Sequence, residues 1–422
     1  MSDFHPSRRN FLGGAAAFSA WASIPKLAVA SGARDPRFVT IILRGGLDGL
    51  AAVAPLGDPN YEPIRDQFAL SFEGQRAGIG LDSFFTLNPR LPTVGELYKK
   101  GEALIVHAVH TPYRERSHFE GQDVLENGMT SDRHHADGWL GRAVRLLPTD
   151  SVISRGGGFA AAPATPLVLR GAQNIVTWLP AGLPAASDDT RMRLLELYEH
   201  TDPVLANAMG AGLRLEEVAG SEAEIREQIQ EGMNDMAGDG RGRRQLIAAA
   251  TAAGRSMADD DGARVGFLDL AGFDTHRGQA LINGRLGATL NALDVAIKAL
   301  RNALGDAWED TVVAVITEFG RTVRMNASNG TDHGTATVAM LLGGAVSGGR
   351  VMADWPGLAP SDLYEGRDLA PTTDLRAVLK GALRDHLGLD ARQLGTEVFP
   401  DTLGLKPVDG LIASSRARAS LR

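Results

Sequence analysis

Four short stretches of this chain concentrate groups that can bind a cation or move a proton. They are Asp48 in Leu-Arg-Gly-Gly-Leu-Asp-Gly, the run Arg116-Ser117-His118, Asp274 with His276 in Phe-Asp-Thr-His, and Glu318 in Thr-Glu-Phe-Gly-Arg, with Asp332-His333 not far beyond it. The chain has no cysteine, so thiolate chemistry, disulfides and Cys-ligated zinc are excluded. Carboxylates and imidazoles without thiolates suit zinc, manganese, magnesium or calcium, and the imidazole share and the geometry choose among them. With His276 and His333 beside Asp48, Asp274 and Glu318, the set favours zinc or manganese over calcium, as one or two divalent ions. Ser117 becomes a nucleophile only if something activates it; Arg116 and a neighbouring ion are the available activators. Arg321 is placed to pair with Glu318 or to clamp an anion, and Arg44 offers a further cation.

Each residue also has a plainer role. Asp274 suits the N-cap of the helix that follows it, and Asp332 and His333 suit a turn. His107, inside an apolar run, reads as a core histidine. His134 and His135 lie in a hydrophilic stretch and read as solvent-exposed.

The elements that carry these groups are legible from hydrophobic runs. Phe38 to Leu43 is apolar or β-branched throughout, as in a strand buried on both faces. Ala103 to Val109, Pro166 to Leu169, Arg264 to Leu270, Thr311 to Thr317 and Val338 onward read as further strands, and Thr311 to Thr317 is the clearest. Helices are expected over Leu91–Lys100, from Gly138, over Leu281–Leu304 and over Asp374–Leu387. Residues 188–258, charged and spaced by threes and fours, read as a helical insertion. Strand–helix alternation indicates an α/β fold, a mainly parallel central sheet flanked by helices. In such sheets ligands bind at the carboxyl ends of strands, and the chemical clusters follow strand ends.

Composition sets the frame. The chain has 422 residues, 44% of them hydrophobic and 22% charged, which is ordinary for a globular protein and enough for a large core. A formal net charge of −8, without a basic block, argues against nucleic acid as a partner. The first thirty residues read as an address: Ser7-Arg8-Arg9-Asn10-Phe11-Leu12 is a twin-arginine pattern, then a weakly apolar stretch, then Ala28-Val29-Ala30 as a cleavage site. Residues 1–30 are thus expected to be a Tat signal peptide, with the Tat translocase as partner during export and a periplasmic or secreted destination. Residues 31–422 would form the mature domain, near −10 in charge and without a membrane span.

Taken in order, these features resemble the alkaline-phosphatase-like superfamily. More closely, Leu-Arg-Gly-Gly-Leu-Asp-Gly, Arg-Ser-His-Phe-Glu-Gly-Gln, Phe-Asp-Thr-His, Thr-Glu-Phe-Gly-Arg-Thr and Asp-His-Gly-Thr-Ala resemble the secreted family DUF1501 over roughly residues 36 to 400. The resemblance implies that Asp48, Asp274, His276 and His333 bind metal and that Ser117 is the nucleophile. Where phosphatases and sulfatases have Asp-His-Gly, this chain has Glu318-Phe319-Gly320, so Glu318 takes the acidic place and Phe319 cannot ligate. The implied activity is metal-dependent hydrolysis of a phosphate or sulfate ester, on an anionic small molecule or polymer. The alternative is a non-catalytic secreted binding or assembly protein that keeps the fold with a reduced metal site.

Overall fold

In the computed structural model, residues 35–130, 136–148, 156–179 and 240–413 are described, with isolated residues between 151 and 210. The twin-arginine stretch, the 1–30 signal, His134 and His135, and most of the 188–258 segment lie outside the described residues.

The main sheet is assembled from β1 (Arg37–Arg44), β2 (Ala103–His110), β3 (Gly158–Ala160), β4 (Ile175–Thr177), β5 (Val265–Ala271), β6 (Thr311–Thr317), β7 (Thr337–Leu342), β8 (Arg350–Met352) and β9 (Thr373–Asp374). Their spatial order is β8-β2-β7-β6-β1-β5-β3-β4, with β9 also paired to β2. The apolar run Phe38–Leu43 has the place its composition demands: β1 lies between β5 and β6, parallel to both, with Phe38 opposite Val265 on one side and Val312 on the other. Side chains alternate between two hydrophobic layers, Val39, Ile41 and Leu43 on one face and Phe38 and Ile42 on the other.

Among the described strands of this sheet β7 alone runs antiparallel, to both β2 and β6. This matters for the chemistry. A residue just ahead of a parallel strand sits at the amino edge of the sheet, away from ligands. Because β7 is reversed, Asp332 and His333 ahead of it arrive at the same edge as the carboxyl ends of β1, β2, β5 and β6.

Helices α1 (Pro92–Lys99), α2 (His118–Asn127), α3 (Trp139–Leu146), α4 (Gly240–Ala258), α5 (Arg285–Leu304) and α6 (Leu375–Leu387) cover the sheet. Three sequence expectations change. Residues 167–169 form a 3₁₀ turn rather than a strand. Helix α4, the end of the segment read as an insertion, buries Ala250, Ala253 and Met257 in the main core with Leu293, Ile297 and Leu300 of α5, so this part is a core layer. Asp274 caps no helix, because α5 begins only at Arg285. His107 is the core histidine its surroundings suggest: fully buried, stacked on Phe85, its Nε2 3.0 Å from the Val53 carbonyl. No helix among the described residues is long and apolar enough to cross a membrane.

Candidate metal centre

Three imidazoles and one carboxylate meet at the carboxyl edge of the sheet. Asp274 Oδ1 lies 3.0 Å from His276 Nε2, 3.3 Å from His333 Nε2 and 3.5 Å from His118 Nε2. The His276 and His333 Nε2 atoms are 3.0 Å apart. Ligand atoms of His118, Asp274 and His333 all fall within 4.8 Å of one another, while His276 closes the group from its more exposed side.

What stands behind each ring fixes its chemistry. His118 Nδ1 donates to Glu318 Oε1 at 2.9 Å, His276 Nδ1 to Asp332 Oδ1 at 3.0 Å, and His333 Nδ1 to the Arg116 carbonyl at 2.8 Å. Carboxylates and carbonyls only accept, so each Nδ1 carries a hydrogen, and in a neutral ring Nε2 is then left with a lone pair. Three such lone pairs and a carboxylate oxygen then face one another. The buried Nε2 of His118 has no hydrogen-bond partner. Converging acceptors with nothing between them repel, unless a cation stands among them. Rings oriented from behind by carboxylates and carbonyls are the pattern of metal-ligating histidines, so the donor set fits a divalent ion.

The local backbone builds this arrangement. β1 ends at Gly45 and Gly46, with φ of +113° and +77°. A Cβ on Gly45 would stand 2.4 Å from the Asp274 backbone nitrogen, and one on Gly46 would meet the Phe319 ring at 2.9 Å. Only glycine lets β1 turn off this close to both walls. Arg116 has a left-handed φ of +59°, a strained conformation for a non-glycine residue. It aims the carbonyl that holds His333. Phe319, 2% exposed, packs with its ring centroid 4.9 Å from that of His118 and 5.1 Å from that of His333, walling the centre in place of a ligand.

The charges follow from these contacts. Burial raises the Asp274 pKa, but the Arg321 guanidinium 2.7 Å away outweighs it and holds the carboxyl below its ordinary value. Glu318 is likewise pushed up by burial and brought below normal by hydrogen bonds, from His118 first. The same contact raises His118, whereas burial lowers His333.

Several residues singled out in the sequence are placed differently from what was expected. Asp48 is 1% exposed, and its four lone-pair directions are used: Oδ1 accepts from the Ala51 N–H and from Arg65, and Oδ2 accepts from Arg65 and Gln279. It is a buried ion-pair partner, with nothing left for a metal. Glu318 accepts on Oε1 from Gly45, His118 and Gln122, and on Oε2 from Thr317, so it orients a ligand rather than being one. Ser117 occupies the N-cap position of α2 without a side-chain cap, and its N–H donates to the Tyr113 phenol oxygen at 3.2 Å. Arg116 pairs with Asp368 and Glu365, Arg44 with Glu126, and Arg321 with Asp274. None of the three is a free anion clamp. His118 is the residue that sequence reasoning passed over in favour of Ser117. Its signal was available: the first residue of a helix that follows a central strand, at the edge where the other clusters converge.

A family model described as "protein of unknown function (DUF1501)" matches residues 83–398. The chain belongs to this family. Comparison with curated proteins gives no match. Solved structures similar to this DUF1501 chain include Ps i-CgsB in complex with k-i-k-neocarrahexaose, at 11% identity and a TM-score of 0.40, covering 88% of this chain and 77% of that one. Another is the phosphonate monoester hydrolase of Agrobacterium radiobacter, at 11% identity and a TM-score of 0.34, covering 75% and 70%.

Proposed function

We propose that this DUF1501 protein is an exported hydrolase of phosphate or sulfate esters that works with one divalent ion, zinc before manganese. The observation that carries the reading is the convergence of three imidazole Nε2 atoms on Asp274 Oδ1, each ring locked by a partner on Nδ1. Three imidazoles weigh toward zinc. A single ion follows because Asp48 and Glu318, the other acidic candidates on this edge, are spent on Arg65 and on orienting His118. When bound, the ion would supply Lewis acidity toward the ester and lower the pKa of water.

The chain's own residues do the rest. His118, Asp274 and His333 hold the ion. His276, its side chain 41% exposed, is the donor able to give way to an incoming group. The Ser117 hydroxyl has no hydrogen bond to an activating base among the described residues, so the attacking oxygen comes from solvent. Helix α2 begins at His118 without a side-chain cap, so its first N–H groups and its dipole favour a negatively charged group beside the centre, as a phosphate or sulfate ester requires. The twin-arginine start supports delivery by the Tat translocase to the periplasm or beyond.

A four-donor group also fits a second reading, in which the ion is held closed and the protein binds or assembles without turnover. Elemental analysis of purified protein and a panel of phosphate and sulfate esters separate the two. About one zinc or manganese per chain, with chelator-sensitive hydrolysis, supports the enzyme; the same metal with no turnover supports the binding protein. Folded protein without metal overturns both. His118→Ala should lose the ion, whereas His276→Ala should retain it.

A further inference from the structure

Behind Asp274 lies an unbroken line of hydrogen bonds that no part of the proposed chemistry has yet used. Arg321 reaches Asp274 with one guanidinium nitrogen, and its Nε donates to Thr331 Oγ1 at 3.2 Å. The Thr331 hydroxyl donates to Gln279 Oε1 at 2.7 Å, where Thr275 adds a second donor at 2.9 Å. Gln279 Nε2 then donates to Asp48 Oδ2 at 2.5 Å, and Asp48 is held by Arg65 at 2.6 and 2.9 Å. Arg65, Asp48, Gln279, Thr275, Thr331 and Arg321 are each 2% exposed or less.

The direction of this line is dictated by its two ends. A guanidinium can only donate, so the Thr331 oxygen must accept from Arg321 and pass its own hydrogen onward. A carboxylate can only accept, so the Gln279 amide must present nitrogen to Asp48 and oxygen to Thr331. Every donor points the same way, from the Arg321 cation to the Asp48 anion. Aligned hydrogen bonds in a dry interior polarise and strengthen one another. Reversing the Gln279 amide would set its oxygen against the Asp48 carboxylate, so the Asp48–Arg65 pair locks the amide, and the amide locks the threonine.

We propose that Gln279 and Thr331 are positioning residues: anchored on the buried Asp48–Arg65 pair, they hold the Arg321 guanidinium in register against Asp274 and thereby set how firmly that carboxylate binds the ion. The last step presupposes the metal centre proposed above; the relay to Arg321 does not. Asp48, expected from the sequence to be a ligand, thus serves the ligand from behind.

Two measurements test this. The first is zinc affinity of Thr331→Val, which keeps the shape and removes the hydroxyl. It should fall by about 10–100-fold, the usual cost of losing support behind a ligand, while Thr331→Ser restores it and both variants remain folded without metal. Affinity within about twofold of wild type, or a loss that Thr331→Ser fails to restore, would overturn the proposal. The second needs no metal: the Arg321 Nε–H resonance in metal-free protein. Gln279→Met, which changes a residue with no hydrogen bond to Arg321, should shift it and speed its exchange with solvent. An unmoved resonance overturns the relay even if Thr331→Val does not fold. Wild-type protein that binds no zinc while this resonance does shift removes the metal reading alone.

Discussion

Asp48 and Asp274 follow the carboxyl ends of neighbouring parallel strands, β1 and β5, and their surroundings have made them opposites. Asp48 is enclosed, with both oxygens used by Arg65, Gln279 and its own helical turn. Asp274 has a side chain 43% exposed, and its Oδ1, held by Arg321, also faces three imidazole Nε2 atoms at 3.0 to 3.5 Å. A carboxylate at a sheet edge is therefore not a ligand by position. It is one when lone pairs remain to it after its protein partners are counted. The histidines divide in the same way. His107 in β2 spends Nε2 on the Val53 carbonyl and Nδ1 on the Ala108 N–H, while His118 at the start of α2 uses Nδ1 to aim a free Nε2.

This contrast can be broken by mutation, and the largest effect should come from the enclosed side. Asp48→Ala strands the Arg65 charge in the core and should cost about 3–5 kcal/mol of stability, read as a fall in the denaturant midpoint. His276→Ala on the open side should cost under about 1 kcal/mol, because the side chain is partly exposed. Equal losses at the two positions would erase the distinction.

Next in size is the pH response of the enclosed histidine. Burial lowers the His107 pKa from 6.5 to about 4. Between those values the unfolded chain takes up a proton that the folded chain refuses. Stability is therefore full above pH 6.5, declines as pH falls toward 4, and loses this dependence below 4. The whole decline is worth about 3 kcal/mol. Asp294, raised to about 6 by burial, contributes the opposite slope. The informative quantity is thus the difference between wild type and His107→Leu, which should lack the decline; parallel pH profiles would show that His107 is not held neutral.

The smallest effect is expected at Ser117. Because its hydroxyl has no hydrogen bond to an activating base among the described residues, Ser117→Ala should leave metal content unchanged and ester turnover within about twofold, far short of the loss expected for a nucleophile. Abolished turnover with metal retained would restore Ser117 to the mechanism.

The sequence showed much of the scaffold and only part of the site, for physical reasons. Phe38–Leu43 and Thr311–Thr317 could be recognised because a strand flanked on both sides must be apolar throughout, and composition records that directly. The meeting of Asp274 and His276 with the end of β6 was legible because parallel strands send their carboxyl ends to one edge, whereas the arrival of His333 there depended on the reversal of β7. The fate of Asp48 was not, since Arg65 becomes its partner only through the path of the folded chain, and no spacing encodes that meeting. Glu318 was half legible: an acid placed directly after an all-apolar strand had to be buried, but whether it faces a cation or the back of an imidazole depends on where α2 begins. The reversal of β7 left no trace in its hydrophobic pattern, since a buried strand reads alike in either direction.

That reversal has a further consequence. Glu318, Phe319, Arg321, Thr331, Asp332 and His333 all come from the single excursion that joins β6 to β7, adjacent antiparallel strands. The excursion stitches itself together: Gly320 and Gly334 N–H groups bond to the Thr335 and Gly320 carbonyls, and Thr322 N–H to the Asp332 carbonyl. One of the four donors, His333, together with the partners that orient His118, His276 and Asp274, is thus carried on one self-bridged cartridge with both ends rooted in the middle of the sheet. Such a unit can be transplanted between homologous scaffolds as a block, and it can form early in folding, before the distant strands that deliver His118 and Asp274 have arrived.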